Sequence, residues 1–228
     1  MTDKLDARGF IHNAKTYKAE FKRLLCGVVY CYKMMIKENA ELINDENDIR
    51  DKLIIEYLNN DDVRPLAGLM EFTFNKEVDE YKTKGRTDIK IEIRNPFRST
   101  AAYYIFECKR LNKINTLGIS GLNAKYIKEG IYRFVSKLYS TNCKINAMIG
   151  FIVEEMDIHS NIKNINVLSK TKFIEEAKII QEICKENFIH DFDFHYKSIH
   201  NDCDNNEFTL YHLMFDMSGL LVMEEKRV

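Results

Sequence analysis

Hydrophobic residues recur along this chain at two different spacings, and the changes between them predict the order of its helices and strands. From Tyr17 to Ile36 they recur every three or four positions, which predicts a long amphipathic helix that packs against the rest of the protein or mediates dimerisation. The same spacing predicts a second helix from Asp45 to Leu58. Asn44 or Asp45 can cap this helix, and acidic residues in its first turn suit the positive end of the helix dipole.

After the second helix the spacing of hydrophobic residues shortens to two, as in strands that bury one face. The predicted strands run from Leu69 to Asn75, from Thr87 to Arg94 and from Ala102 to Lys109. Gly85 lies in the first connection and Pro96 in the second, and neither residue suits the interior of a central strand. We therefore expect the three strands to be antiparallel neighbours.

The rest of the chain predicts an alternation of helices and strands. Predicted helices run from Leu122 to Tyr139 and from Lys170 to Asn187, and predicted strands run from Ile145 to Val153, from Phe192 to His200 and from Glu207 to Asp216. The first of these strands is apolar throughout, as expected of a strand buried on both faces. The whole order predicts an α/β fold, in which helices flank a mixed β-sheet within a single domain.

Composition narrows the class of protein. Apolar residues make up 45% of the 228 positions and charged residues 30%, which is typical of globular proteins. The longest apolar stretch near the start, Leu24 to Tyr32, is far shorter than the roughly 20 residues that span a bilayer, and residues 1–13 lack the apolar core of a signal peptide. We therefore expect a cytoplasmic protein with no membrane segment. The cysteines form no CxxC pair, so their spacing indicates neither a zinc knuckle nor a disulfide framework.

Positive charge is concentrated in one segment, although the net charge of the chain is only -1. Between positions 109 and 144 the only acidic residue is Glu129. The same segment holds eight basic residues, which are Lys109, Arg110, Lys113, Lys125, Lys128, Arg133, Lys137 and Lys144. This local excess of +7 can bind phosphate groups. A solvated helix face would explain the same pattern, and the sequence leaves both interpretations open.

A group of charged residues lies on the second and third predicted strands. Asp88 alternates with apolar neighbours, and Glu107 and Lys109 are two positions apart, so that their side chains project from the same face. If the two strands are neighbours, Asp88 can meet Glu107 across them. Converging carboxylates suit Mg²⁺ or Mn²⁺, and an adjacent lysine can hold an attacking water and contact a phosphate. These residue types predict metal-assisted hydrolysis, although each carboxylate alone would equally suit the solvated face of a strand.

These residues resemble a known family. Thr87-Asp88, followed by the segment Phe106-Glu107-Cys108-Lys109, is similar to the motif of the PD-(D/E)XK nuclease superfamily. Members of this superfamily share a core of helix, three-stranded meander, helix and strand, and the predicted order from Glu46 to Val153 is similar to that core. Thr87 departs from the motif, because proline is common at its position. The resemblance implies a restriction-endonuclease-like fold.

The resemblance also implies roles for individual residues. Asp88 and Glu107 would bind Mg²⁺, or Mn²⁺ in its place, and Lys109 would help to activate water. Glu46 matches a glutamate that many members place on the first core helix near the metal. The helix that follows the motif carries phosphate-contacting residues in many members, and the candidates here are Lys125, Tyr126 and Arg133. Residues 44–153 would form the catalytic core, residues 1–43 an N-terminal helical extension, and residues 154–228 a C-terminal helix with closing strands.

The function that follows is a magnesium-dependent nuclease, with DNA favoured as its substrate and a possible role in restriction or phage defence. Targeting would then depend on this domain, on a homodimer or on a partner protein. Two other hypotheses stay open. The chain could be a non-catalytic nuclease-fold module that binds nucleic acid or partner proteins, or a structural subunit that assembles through the helix from Tyr17 to Ile36. Ser198 and His200 do not indicate a hydrolase triad, because the chain has no Gly-x-Ser-x-Gly elbow.

Overall fold

A computed structural model of the protein describes residues 8–80, 83, 85–93, 103–139 and 144–222, with the side chains of the first helix described from residue 17. These residues do not include the predicted turn at Pro96, the predicted strand ends at Arg94 and Ala102, or Cys143. The described residues form a mixed α/β structure, which confirms the predicted α/β class, around a sheet of seven strands, one more than the pattern of hydrophobic residues predicts. The strands are β1 (Phe72–Asp79), β2 (Arg86–Ile93), β3 (Tyr103–Leu111), β4 (Ile145–Ile152), β5 (Ile179–Lys185), β6 (His195–Asn201) and β7 (Glu207–Asp216).

The strands lie side by side in the order β1, β2, β3, β4, β7, β6, β5. The first three pair antiparallel, which confirms the predicted meander. The central strand β4 pairs parallel with both β3 and β7. Because β4 is covered on both faces, seven of its eight residues are buried, in agreement with its apolar sequence.

The helices cover both faces of the sheet. They are α1 (Arg8–Lys37), α2 (Glu46–Lys52), α3 (Val63–Leu66), α4 (Leu122–Lys125), α5 (Tyr132–Val135), α6 (Ile158–Thr171) and α7 (Ile174–Ala177). A π-helical turn, Leu53–Leu58, continues α2, and a second one, Tyr126–Ile131, joins α4 to α5. We call residues 122–135 the basic helix.

Two hydrophobic cores lie on opposite sides of the sheet. On one side α1 and α2 pack against the sheet, where the apolar face of α1 contributes Phe21 and Leu24 to a core that includes Phe106. On the other side the basic helix and α6 pack against Ile105 and its neighbours. Alternate residues of β3 therefore face alternate cores. The apolar face of α1 lies within the protein, so the first helix packs against the sheet.

The second helix begins where its capping signal predicts. The side chain of Asp45 accepts hydrogen bonds from the backbone N–H groups of Asn47, at 2.8 Å, and Asp48, at 3.2 Å. These contacts satisfy N–H groups that have no partner within the helix. The first turn of α2 is fixed in this way, and its first residue is Glu46.

Several predicted boundaries are wrong. The first strand begins at Phe72, because the buried Leu69 lies in a turn and its backbone N–H bonds to Arg64. The basic helix ends at Val135, and Lys137 just beyond it has a left-handed backbone with φ of 58°. The predicted helix from Lys170 to Asn187 is also wrong. In its place α6 ends at Thr171, a short α7 follows, and β5 begins after the left-handed Lys178.

No helix among the described residues combines the length and the apolar character that crossing a bilayer requires.

Candidate active site

The three residues of the predicted motif meet where two strands of the sheet separate. β2 and β3 pair as far as Ile89 opposite Phe106, and β3 then continues as the parallel neighbour of β4. At the point of separation the side chain of Asp88 accepts a hydrogen bond of 2.7 Å from the backbone N–H of Cys108. The carboxylate thus satisfies a backbone group of β3 that would otherwise face the gap.

Four oxygen atoms surround the ammonium nitrogen of Lys109. Nζ lies 2.7 Å from Glu107 Oε1, 2.7 Å from the Cys108 carbonyl oxygen and 2.9 Å from Glu46 Oε1. Asp88 Oδ2 lies 3.8 Å from the same nitrogen. The side chain of Lys109 is only 7% exposed. The structure therefore brings together all four residues proposed as catalytic or metal-binding, and we call Glu46, Asp88, Glu107 and Lys109 the charged cluster.

The carboxylates keep Lys109 positively charged. Burial alone would lower the pKa of Lys109, but the negative charges of Glu107, Asp88 and Glu46 outweigh it and raise this pKa above its ordinary value. Lys109 is therefore protonated at neutral pH. In this form the side chain has three N–H donors and no lone pair with which to accept a proton.

Glu107 is fully buried, and its pKa depends on a different balance between burial and neighbouring charges. Its Oε2 accepts a hydrogen bond of 2.6 Å from the hydroxyl of Tyr139. Its Oε1 lies close to Lys109 and 2.9 Å from Arg133 Nη1, although neither N–H is aligned for a hydrogen bond with it. Burial, together with the charge of Asp88, raises the pKa of Glu107 above its ordinary value, whereas the two cations beside it favour the charged form.

Glu46 connects the start of α2 to the end of β3. While Oε1 faces Lys109, Oε2 accepts a hydrogen bond of 2.9 Å from the backbone N–H of Arg110. The guanidinium of Arg110 in turn donates to the carbonyl oxygen of Asn44, at 2.5 Å, and to its side-chain oxygen, at 2.9 Å. The backbone of Arg110 thus binds the side chain of Glu46, and the side chain of Arg110 binds Asn44 just before α2. These contacts fix the position of Glu46 relative to the motif.

Two residues of the site were not predicted from the sequence. Arg50 is 98% buried, and its Nη1 lies 3.6 Å from Asp88 Oδ1. Because Arg50 follows Glu46 by four positions on one helix face, this spacing could have revealed it. Tyr139 lies beyond the end of the basic helix, and its hydroxyl lies 2.6 Å from Glu107 Oε2 and 2.7 Å from the carbonyl oxygen of Arg86. No spacing rule points to Tyr139, because it reaches Glu107 only after the chain turns at Lys137.

The predicted nucleic-acid contacts divide into two groups. Lys125 is exposed on the outer face of the basic helix, and the partly exposed Arg133 lies between this surface and Glu107. Tyr126 is fully buried, so its predicted role in phosphate contact is wrong in this structure. Tyr126 lies three residues after the buried Asn123 and four before the buried Gly130, so helical spacing places it on the buried face.

Tyr126 belongs instead to a buried row of hydrogen bonds. Its hydroxyl lies 2.8 Å from His212 Nδ1, and His212 Nε2 lies 2.7 Å from the hydroxyl of Ser198. The Ser198 hydroxyl lies 2.6 Å from His200 Nε2, and His200 Nδ1 lies 2.6 Å from the carbonyl oxygen of Ala177. We call Tyr126, His212, Ser198 and His200 the histidine chain. All four side chains are fully buried, so Ser198 is not placed to attack a substrate.

The donor atoms of the charged cluster suit a hard divalent cation. Carboxylate and carbonyl oxygens are the ligands that Mg²⁺ and Mn²⁺ prefer, and the buried Oε1 of Glu107 has no aligned hydrogen-bond donor. Within the described part of the chain, no group of three or more His, Cys, Asp or Glu side chains is arranged as the ligand shell of a metal ion. The oxygens converge instead on the ammonium of Lys109. The residues present therefore fit such a metal by donor type.

Comparison of the chain with protein-family models, with curated proteins and with solved structures finds no match.

Proposed function

We propose that this chain is a metal-dependent nuclease of the restriction-endonuclease type, with Asp88, Glu107 and Lys109 as its catalytic residues and DNA as its favoured substrate. The observation that carries the proposal is the convergence of Glu46, Asp88 and Glu107 on the ammonium of Lys109. The order of a capped helix, an antiparallel meander, a basic helix and a parallel strand supports the restriction-endonuclease-like fold. Such domains often serve restriction or phage defence, and we extend the proposal to that role by analogy.

Asp88, Glu107 and Glu46 would hold Mg²⁺, or Mn²⁺ in its place, and the ion would supply Lewis-acid stabilisation of the charge that develops on the phosphate. Lys109 is protonated at neutral pH, so its part is to donate hydrogen bonds to a water or a phosphate oxygen rather than to remove a proton. Arg133, which is 31% exposed beside Glu107, adds positive charge where a phosphate would approach.

The exposed residues of the basic helix extend this positive surface away from the cluster. Lys125 and Lys128 are exposed on its outer face, and Arg133 continues the same surface toward Glu107. A phosphate backbone lying along this face would contact these side chains in turn. Recognition of a particular target would depend on this domain, on a homodimer or on a partner protein.

One observation favours a second candidate, a non-catalytic module that binds nucleic acid or partner proteins. The carboxylates of the cluster already have cationic partners, since Lys109 and Arg133 lie beside Glu107 and Arg50 lies beside Asp88. The charges of such a cluster are compensated without a metal. The two candidates differ in whether nucleic acid is cut.

A cleavage assay decides between them. The purified protein is incubated with supercoiled DNA, linear DNA and RNA, in Mg²⁺, in Mn²⁺ and in EDTA, beside Lys109→Ala and the matched control Lys18→Ala. Lys18 is exposed on α1, on the opposite side of the sheet from the basic helix. We expect metal-dependent cleavage that Lys109→Ala lowers by about a hundredfold or more and that Lys18→Ala retains. Absence of cleavage on every substrate, or equal cleavage by Lys109→Ala, would exclude the nuclease and leave the binding module.

A further inference from the structure

The ammonium group of Lys109 is surrounded by protein oxygens. Nζ donates hydrogen bonds to Glu46 Oε1 and to the Cys108 carbonyl oxygen, and it lies 2.7 Å from Glu107 Oε1 without an aligned hydrogen bond. Asp88 lies further away, at 3.8 Å. Because the side chain is only 7% exposed, Lys109 in this arrangement is shielded from a substrate by the groups that it contacts. Its ammonium occupies the position on which the oxygens converge.

The groups around Lys109 come from separate elements and keep other partners. Glu46 Oε2 bonds to the Arg110 backbone, and Asp88 Oδ2 bonds to the Cys108 backbone. Glu107 retains Tyr139 on one oxygen and Arg133 beside the other. The oxygens would therefore stay in place if the ammonium left. Lysine has a flexible four-carbon stem, so its ammonium can move without any movement of β3.

We propose that Lys109 is a tethered counter-ion, whose ammonium holds the position of the divalent cation in the free protein and leaves the oxygens when that cation binds. The identity of the cation rests on the proposed function. Metal binding and the release of Lys109 are then a single event. The ammonium that leaves regains free N–H donors, so Lys109 becomes able to contact a substrate only when the metal has arrived.

This proposal predicts that removing the lysine tightens metal binding. A site whose competent state is rarely populated binds with an affinity reduced by that fraction, and Lys109→Met removes the competing state. We expect Lys109→Met to bind Mn²⁺ roughly ten- to a hundredfold more tightly than the wild type. The measurement is a titration of Mn²⁺, followed by calorimetry and by the paramagnetic resonance signal of the free ion. Lys113→Met is the control and should bind like the wild type.

A second measurement uses the wild-type protein, so it does not depend on the folding of the variant. The ¹⁵N-labelled ammonium groups of lysines are observed by NMR, and the signal of Lys109 is assigned by comparing its spectrum with spectra of lysine variants. A buried, hydrogen-bonded ammonium exchanges its protons slowly, so we expect this signal in the metal-free protein. Addition of Mg²⁺ should shift it or remove it, and the signal of Lys197, which is paired with Glu186 outside the cluster, should not change.

The outcomes separate this inference from the proposed function. An unchanged Lys109 signal at saturating Mg²⁺, or a variant that binds Mn²⁺ no more tightly than the wild type, would overturn the counter-ion role even if the wild type cuts DNA. Tighter binding by Lys109→Met, in a protein that cuts no nucleic acid, would support the counter-ion role and reject the nuclease.

Discussion

Two networks of polar side chains in this protein, the charged cluster and the histidine chain, are arranged in opposite ways. The charged cluster gathers like charges from different elements around a single cation, Lys109. The histidine chain is a row in which each group has one neighbour on each side. The charged cluster therefore has a central position that another cation could occupy, whereas the histidine chain has no such position.

The direction of every hydrogen bond in the histidine chain can be assigned. The carbonyl oxygen of Ala177 only accepts, so His200 carries its proton on Nδ1 and accepts at Nε2 from Ser198. The Ser198 oxygen then accepts from His212 Nε2, and His212 Nδ1 accepts from Tyr126. Every member is neutral in this assignment. Burial lowers the pKa of His200 to about 4 and lowers that of His212 as well, which keeps both rings uncharged.

This difference indicates which of the two networks serves function. A neutral row with all donors and acceptors paired holds elements together, and nothing is gained by opening it. A cluster of like charges is stable only while cations compensate it, so a change of cation changes its state. The comparison therefore predicts that changes in the charged cluster affect activity, whereas changes in the histidine chain affect stability.

The largest effect should come from Asp88→Asn. Asparagine keeps an oxygen that can accept from the Cys108 backbone but removes the charge beside Lys109. We expect cleavage to fall by about 10²- to 10³-fold in single-turnover assays while the urea midpoint stays close to that of the wild type. Asp193→Asn is the control, because Asp193 pairs with Lys185 at the end of β5, away from the cluster. If Asp88→Asn retains its activity but unfolds at a lower urea concentration than the wild type, the cluster serves stability, and the proposed difference from the histidine chain is wrong.

An intermediate effect should appear as the pH falls. Between the ordinary histidine pKa of about 6.5 and the folded value of about 4, the unfolded chain binds a proton at His200 that the folded protein excludes. The contribution of His200 to the free energy of unfolding is therefore complete above pH 6.5 and is lost as the pH falls toward 4. The loss amounts to about 3 kcal/mol.

Urea unfolding measured from pH 7 to pH 4 tests this expectation. His200→Asn should be less stable than the wild type at pH 7 and should lose less stability on acidification. If the two proteins have the same dependence on pH, His200 is not neutral in the folded state, and the assigned direction of the histidine chain is wrong.

The smallest effect concerns the surface of the basic helix. Lys125→Ala should weaken DNA binding only a few-fold and reduce the slope of log affinity against log salt by about 1, since one phosphate contact is lost. Tyr126→Phe should leave that slope unchanged and lower the free energy of unfolding, because its hydroxyl bonds to His212. Fluorescence anisotropy with a labelled duplex at several salt concentrations measures both slopes. A lower slope for Tyr126→Phe would restore Tyr126 as a phosphate contact.

The site could be predicted from the sequence wherever local rules decide the geometry. Strand parity puts Glu107 and Lys109 on one face, and a helix cap at Asp45 puts Glu46 in the first turn. The meander brings Asp88 to them, because the period-two pattern and the turn residues agree. These features depend on neighbours in the chain, which the sequence displays directly.

The parts that were missed depend on backbone conformations that the sequence does not signal. Lys178 and Lys137 adopt left-handed backbones, although glycine or asparagine would be the usual sign of such a turn. β5 was therefore predicted as helix, and the contact of Tyr139 with Glu107 was not expected.

The hydrogen bond from the Cys108 amide to Asp88 also makes this amide a reporter of the site. Its proton is held by a side chain of the charged cluster rather than by a neighbouring strand. The rate at which this proton exchanges with solvent deuterium therefore depends on the position of the Asp88 carboxylate, whereas the amides of the paired residues nearby follow the opening of the sheet. Comparing these rates would follow the arrangement of the carboxylates in a protein that has no substrate bound.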